Sequence, residues 1–511
     1  MPCAILIYQQ IGGVPGATKK PYERLLDRYR KYASLQQANA ILQWDQYVTM
    51  PEGAQNVRSK QMSALSSHAN DYITDSTFRD LLTNIDEEVL DEKERAVVRE
   101  IRRKHDRANR VPAEIDEDLS ELTSEAHSAW NEAKDQDDFS IFAPHLEAIV
   151  EKKREYASAI DPESAPYETL VADFVPQLDY ETVEQVLLAV KDEFVPLLDR
   201  IQASETDLNT EAIHGDYDED AQLAIARDLL DVLGFDWERG RLDTFDQPGT
   251  FGLWDDARIC TWTDKSLYQT LFTTAHEAGH ALYTQGLPEE EYGSPLGDAR
   301  SIFVNESQAA FWENHVFGHR AFWDMFLPIM KERFPDINVG PREVYESVNY
   351  VREENPVWVE ADELTGTIHI LLRFELERDL VNGKITVDEV PKIWNERVEE
   401  YFGVRPTTLE EGCLQDIHWS QGNIGYFPTY TLGNVLAAQV RAAMERDLGE
   451  IGALLREDSI SSILEWNREH IHRHGQRYAT PELIQRLTGE ELTADPFIEY
   501  SAEKYTDLYD L

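Results

Sequence analysis

Cysteine is nearly absent: Cys3, Cys260 and Cys413 are the only three in 511 residues. They are too few and too scattered to frame a disulfide scaffold, which suits a reducing compartment. Basic charge is also scarce. Lys and Arg together number 48 against 97 Asp and Glu, for a net charge of −49 and a pI near 4.5. A surface of one sign at this density argues against nucleic acid and anionic membranes as partners. Long apolar runs are missing too, and nothing approaches the ~20 residues of a bilayer-spanning helix. Residues 1–18 hold a short apolar patch at 4–8 with no basic flank, and Gly12-Gly13 and Pro15-Gly16 break any helix. They read neither as a signal peptide nor as an anchor. These lacks predict a cytoplasmic protein, with residues 1–20 a disordered or atypical extension and residues 21–511 a single body.

What is present points to a folded helical chain. Apolar residues make up 42% and tryptophans number eleven, enough for a sizeable core. The acids are spread along the whole chain, and Arg outnumbers Lys about two to one. Such a surface repels itself in dilute buffer and is screened where the Debye length falls to ~3 Å, at ~1 M salt. We read it as adaptation to a salt-rich cytoplasm. Helical spacing of apolar residues predicts helices over 22–43, 95–110, 113–135, 141–160, 180–201 and 219–233, separated by Pro- or Gly-bearing turns. Between 241 and 262 the pattern changes to short strands at 244–245, 250–251 and 258–262. Helices resume over 267–284, 298–317, 341–352, 357–380, 387–401, 430–448 and 459–470. The expected fold is mainly α: one large helical body with a deep groove and a small β-sheet beside the helix at 267–284.

That helix contains His276-Glu277-Ala278-Gly279-His280. Histidines four apart stand on one helical face, one turn above the other, where both can reach a single cation. Glu277 sits beside them, able to touch a metal-bound water without ligating. A catalytic zinc takes three protein ligands and keeps a fourth position open. Glu306, opening an apolar helical run, supplies the third ligand to His276 and His280. The chemistry implied is metal-assisted hydrolysis, with zinc lowering the pKa of water and Glu277 moving its proton to the leaving amine. The oxyanion needs further donors: His418, with Asp416 near it, and the phenols Tyr426 and Tyr430 are candidates, although 425–430 also reads as a Tyr-rich packing turn. His315 and His319 are also four apart but have no acid between them, and read as helix-surface residues. His470, His472 and His474 read as a solvated polar stretch.

The string of motifs resembles the carboxypeptidase Taq family of metallocarboxypeptidases from about residue 22 to the C-terminus. Trp44-Asp45-Gln46 with Met50-Pro51-Glu52-Gly53-Ala54 is similar to its N-terminal signature. Asp256-Ala257-Arg258 resembles the start of D-x-R-x-T, and Glu306-Ser307-Gln308 the segment of the third ligand. Glu360-Ala361-Asp362 matches the end of I-R-x-x-A-D, and Gly412 to Trp419 fits G-x-x-Q-D-x-H-W throughout. The resemblance implies a saddle-like helical fold, a homodimer, zinc or cobalt as metal, and removal of single C-terminal amino acids from peptides. It also implies that His418 and one of Tyr426 or Tyr430 assist the transition state, and that Arg258, Gln415 and Asp416 face the substrate. The chain departs from the pattern at Gln247, Cys260, Asn305 and Trp358, the last standing where an arginine is expected. An exopeptidase must hold a free carboxylate, which a guanidinium suits and an indole does not. Arg258, Arg352 or Arg405 could take that task. A zinc oligopeptidase indifferent to the C-terminus, or a relaxed peptide-binding paralogue, remain the alternative readings. The acidic surface predicts that the thermal midpoint rises steeply between dilute buffer and molar KCl. A midpoint that does not respond to salt in calorimetry would remove the halophilic reading.

Overall fold

The computed structural model describes residues 21–511 apart from 216, 246, 247, 253, 254, 353, 354 and 458. Cys3, Gln247 and the extension read at 1–20 lie outside the described residues. The first half is a succession of helices: α1 Pro21–Val48, α2 Gln55–Thr74, α3 Ser76–Asn84, α4 Glu92–Arg110, α5 Ala113–Gln136, α6 Phe139–Ile160, α7 Pro166–Phe174, α8 Tyr180–Gln202 and α9 Glu219–Leu233. Three strands follow, β1 Gly240–Thr244, β2 Gly249–Phe251 and β3 Ala257–Thr261, and lead into α10 Leu267–Gly286. After α11 Ile302–Ala310 the chain widens into a π-helix over Phe311–Phe317. The remainder is α12 Arg320–Arg333, α13 Pro341–Asn349, α14 Glu363–Val381, α15 Val390–Phe402, α16 Pro428–Leu448, α17 Ile451–Arg456, α18 Ile460–His470, α19 Thr480–Thr488 and α20 Asp495–Tyr509.

The sheet has the order β1-β3-β2, with β1 parallel and β2 antiparallel to the central strand. Ile259, Cys260 and Thr261 are fully buried there. One large core runs from α5 to the C-terminus, while α1, α3 and α4 enclose a smaller one around Tyr29, Phe78, Val97 and Ile101. Paired positions Arg241 and Arg258 of β1 and β3 both lay their guanidinium groups over Trp44 of α1, at 4.7 and 4.2 Å from the ring centre. This cation–π contact ties the N-terminal helices to the sheet.

The sequence reading places thirteen of these helices but not α2, α3, α7, α12, α17, α19 or α20, and it misses interruptions within those it places. The helix expected over 357–380 is instead a short 3-10 turn, Trp358–Glu360, followed by α14. Asp362 makes the break, because its carboxylate accepts the backbone N–H groups of Leu364 and Thr365 and so caps a new helix. Similarly, the helix expected from 298 begins only after Ser301, which caps Val304. His315 is not on the surface but buried in the π-helix, and His319 caps α12 by accepting from the Ala321 N–H at 3.0 Å. His472 is fully buried, bonded to Gln308 at 2.9 Å and packed on Tyr283.

A buried ion pair bolts α4 to the C-terminal half. Arg300 grips both oxygens of Glu100 at 3.0 and 2.9 Å and also donates to the carbonyls of Gln476 and Tyr478. Arg99, Arg103 and Gln177 complete the carboxylate's shell. Burial opposes the charge of Glu100, but the Arg300 hydrogen bonds and the surrounding cations hold its pKa down to about 2. A carboxyl whose folded pKa lies below its unfolded value contributes stability above about pH 4.5 that is lost as pH falls toward 2. Glu100→Gln should therefore cost about 3–5 kcal/mol near neutrality. Its penalty should shrink across that acid window, as denaturant titrations at stepped pH would record.

Candidate active site and metal centre

Helix α10 starts at a capping box in which Ser266 and Gln269 satisfy each other's backbone N–H groups. It is buried on most of its circumference, yet His276 and His280 keep 28% and 14% of their side chains exposed. His276 opens onto a cavity wall. Their rings stand 5.0 Å apart and nearly perpendicular. Gly279, between them, allows α11 to cross at contact distance: a Cβ there would lie 2.5 Å from the backbone of Gln308 and Ala309. On the other side Gly433 of α16 leaves room for Glu306, whose own Cβ would be 2.9 Å from any Cβ at 433. Glu306 is thereby held against the histidines.

The Glu306 Oε2 atom lies 3.9 Å from His276 Nε2 and 4.0 Å from His280 Nε2. All three donor atoms fall within 4.8 Å of one another. Two ligands each ~2.1 Å from one ion can stand at most ~4.2 Å apart, so the two Glu306 separations fit a shared cation. The donor set of two imidazoles and one carboxylate suits zinc. His276 is further oriented by Glu313, whose carboxylate meets Nδ1 at 2.5 Å and leaves Nε2 for the cation. Sequence reasoning missed Glu313, which comes from the π-helical turns where a register cannot be read from spacing. Burial disfavours a charged His276, but Glu313, Glu277 and Glu306 outweigh it and push its pKa up to about 10. So much negative charge around one imidazole is met either by a proton or by a divalent cation.

Glu277 is buried, and Thr250 of β2 donates to its Oε2 at 2.7 Å and its backbone oxygen at 3.0 Å. The cavity beside these residues has a volume of about 360 Å³. His276, Glu277, Glu306, Glu313, Arg352, Trp358 and Tyr430 all contribute to its wall. Tyr426 reaches Glu306 Oε1 at 3.3 Å, and its ring lies 5.3 Å from that of Tyr430. Burial drives both phenols well above their ordinary pKa, so each stays protonated and can donate a hydrogen bond. His418 stacks behind them, 6.0 Å from Tyr426 and 5.7 Å from Trp358. Burial lowers its pKa, Asp416 opposes that and Arg373 reinforces it. The loop carrying His418 is pinned by Glu377 of α14, which accepts from Trp419, the Gly425 N–H and Tyr167 at 2.9, 2.9 and 3.0 Å.

The residues expected to face substrate are arranged differently. Arg258 is locked in a two-pronged pair with Asp256 and lies over Trp44, away from the cavity wall. Gln415 and Asp416 are engaged by the protein itself. Asp416 holds the fully buried Arg373 at 2.7 Å, and Gln415 accepts from Arg373 and from the Trp358 N–H at 2.8 Å each. The satisfied donors and acceptors of this network give both residues a positioning task beneath Trp358.

A helical body carrying two histidines one turn apart, a facing glutamate and an adjacent carboxylate defines a metallopeptidase-type centre. The model of the carboxypeptidase Taq (M32) metallopeptidase family matches residues 24–505. Thermostable carboxypeptidase 1 of Thermus thermophilus is 36% identical over 504 residues, covering 96% of this chain and 99% of that relative. Carboxypeptidase 1 of Bacillus subtilis is 32% identical over 501 residues, covering 96% and 98%. The crystal structure of the M32 carboxypeptidase from Deinococcus radiodurans superposes with a TM-score of 0.92 at 33% identity, covering 96% of this chain and all of the other. The chain belongs to the carboxypeptidase Taq (M32) metallopeptidase family. Loss of the carboxylate behind a ligating histidine costs ~10–100-fold in metal affinity. Glu313→Gln should weaken divalent-metal binding by that factor in competition with a chromogenic chelator, with helical content unchanged.

Proposed function

We propose that the chain is a zinc-dependent carboxypeptidase that removes single C-terminal amino acids from peptides. The observation that carries this reading is the convergence of His276, His280 and Glu306, with Glu277 and Tyr430 facing the same cavity. Its curated relatives are named carboxypeptidases, which supports the same conclusion. Zinc, for which cobalt is a plausible substitute by chemistry, would be held by His276, His280 and Glu306 and would supply Lewis acidity toward water and carbonyl. Glu277, steadied by Thr250, takes the proton of the attacking water and delivers it to the departing amine. Tyr430 donates toward the oxyanion from the cavity wall, while Tyr426 steadies Glu306 and His418 backs the pair. The proposal extends to a homodimer working on peptides in a salt-rich cytoplasm.

Trp358 favours a second reading, because it brings no charge to the cavity where a substrate carboxylate would need one. A zinc oligopeptidase would cut peptides without regard to their C-terminus, and a relaxed paralogue would bind them uncut. Mass spectrometry of a mixed peptide pool, incubated with zinc-loaded protein in molar KCl, separates these outcomes. Ladders shortened one residue at a time from the C-terminus are expected; internal fragments or no products would reject the proposal. Glu277→Gln should lower turnover about 10²–10⁴-fold with zinc still bound.

A further inference from the structure

Among the described residues, Arg352 is the one arginine or lysine that lines the cavity beside His276. Its Nε donates to the Tyr350 hydroxyl at 3.0 Å and its Nη1 to the Glu360 carbonyl. Neither partner is a carboxylate, and among the described residues no carboxylate forms an ion pair with this guanidinium. Its backbone N–H is fixed as well, donating to Asp362 at 2.8 Å. Other arginines are already committed. Arg258 is paired with Asp256, Arg405 with Glu399 at the exposed surface, and Arg373 with Asp416 out of contact with solvent.

Opposite requirements meet in this cavity. A free α-carboxylate inside it would face Glu277, Glu306, Glu313 and Glu363, and repulsion from them must be offset by a cation at the place of binding. A guanidinium with its Nε and one Nη held by neutral acceptors keeps its charge and its planar shape for a carboxylate. Phe272, Trp358, Ala361 and Ile370 make another part of the wall apolar, and Gly366 keeps the space in front of the Trp358 indole open.

We infer that Arg352 holds the terminal carboxylate of the substrate and that the surface around Trp358 receives a large apolar side chain on the last residue. The inference rests on the exopeptidase reading and deepens it. Arg352 is a specificity-determining residue here, with the proton transfers left to Glu277.

The test compares kcat/KM for a peptide ending in phenylalanine with that for its C-terminal amide, using zinc-loaded protein in molar KCl. Wild type should favour the free acid by about 100-fold or more. Arg352→Gln should bring the two rates together, mainly through a rise in KM for the acid, with zinc content unchanged. Arg352→Lys, which keeps a point charge without the fork, should retain part of the preference. A merely structural role would lower both rates by the same factor and leave their ratio intact, and that result overturns the assignment to Arg352 with the exopeptidase reading standing. Equal acid and amide rates in wild type would instead reject the exopeptidase reading, and the inference with it. Should Arg352→Gln not fold, the lysine variant decides, since a wild-type ratio in that protein also overturns the inference.

Discussion

Glu306 stands where three helices meet with almost nothing between their backbones. Gly279 and Gly433 remove the side chains that would otherwise hold α10 and α16 away from α11. The cluster of His276, His280 and Glu306 therefore depends on a packing constraint before it depends on any electrostatic one. A carboxylate 26 residues beyond His280 in sequence reaches within 4.0 Å of its imidazole because two glycines permit the crossing. The charge around the site then follows from position: Glu313 behind His276, Glu277 gripped by Thr250, and Tyr426 on Glu306.

A chain so acidic must solve two electrostatic problems at different depths. The surface charges repel and are relieved by salt. The interior uses pairs that salt cannot reach, among them Glu100–Arg300, Asp416–Arg373 and Glu363–Lys504, each almost wholly removed from solvent. Buried pairs are screened far less than exposed ones. The cross-braces around the cavity can thus keep their geometry over a range of salt in which the outer surface changes its cohesion.

The sequence made the central helix, the cluster of His276, His280 and Glu306 and the small sheet visible, since each rests on local periodicity or on motif spacing. The expected helix over 267–284 is α10 with two residues added. What stayed hidden depends on tertiary contact. Helix α2 buries only Ala69 and Ile73, so it offers little apolar face to detect. The break before α14 hangs on one capping carboxylate at Asp362, and Glu313 gains its partner only through the π-helical turns. His315 and His472 look polar in sequence but are interior residues, buried by helices distant in the chain. Gln415 and Asp416 sit in a motif that reads as functional, and the structure gives them the support of Arg373 and Trp358.

The Thr250 hydroxyl has one proton and two acceptors within reach on the same residue, Glu277 Oε2 at 2.7 Å and the Glu277 backbone oxygen at 3.0 Å. It can serve only one at a time. The shorter bond steadies the carboxylate, and rotation about a single bond would turn the hydroxyl to the helix carbonyl instead. The strand can thus change which oxygen it serves without shifting a heavy atom. A small edge strand of three residues acts here as a bearing for the Glu277 side chain.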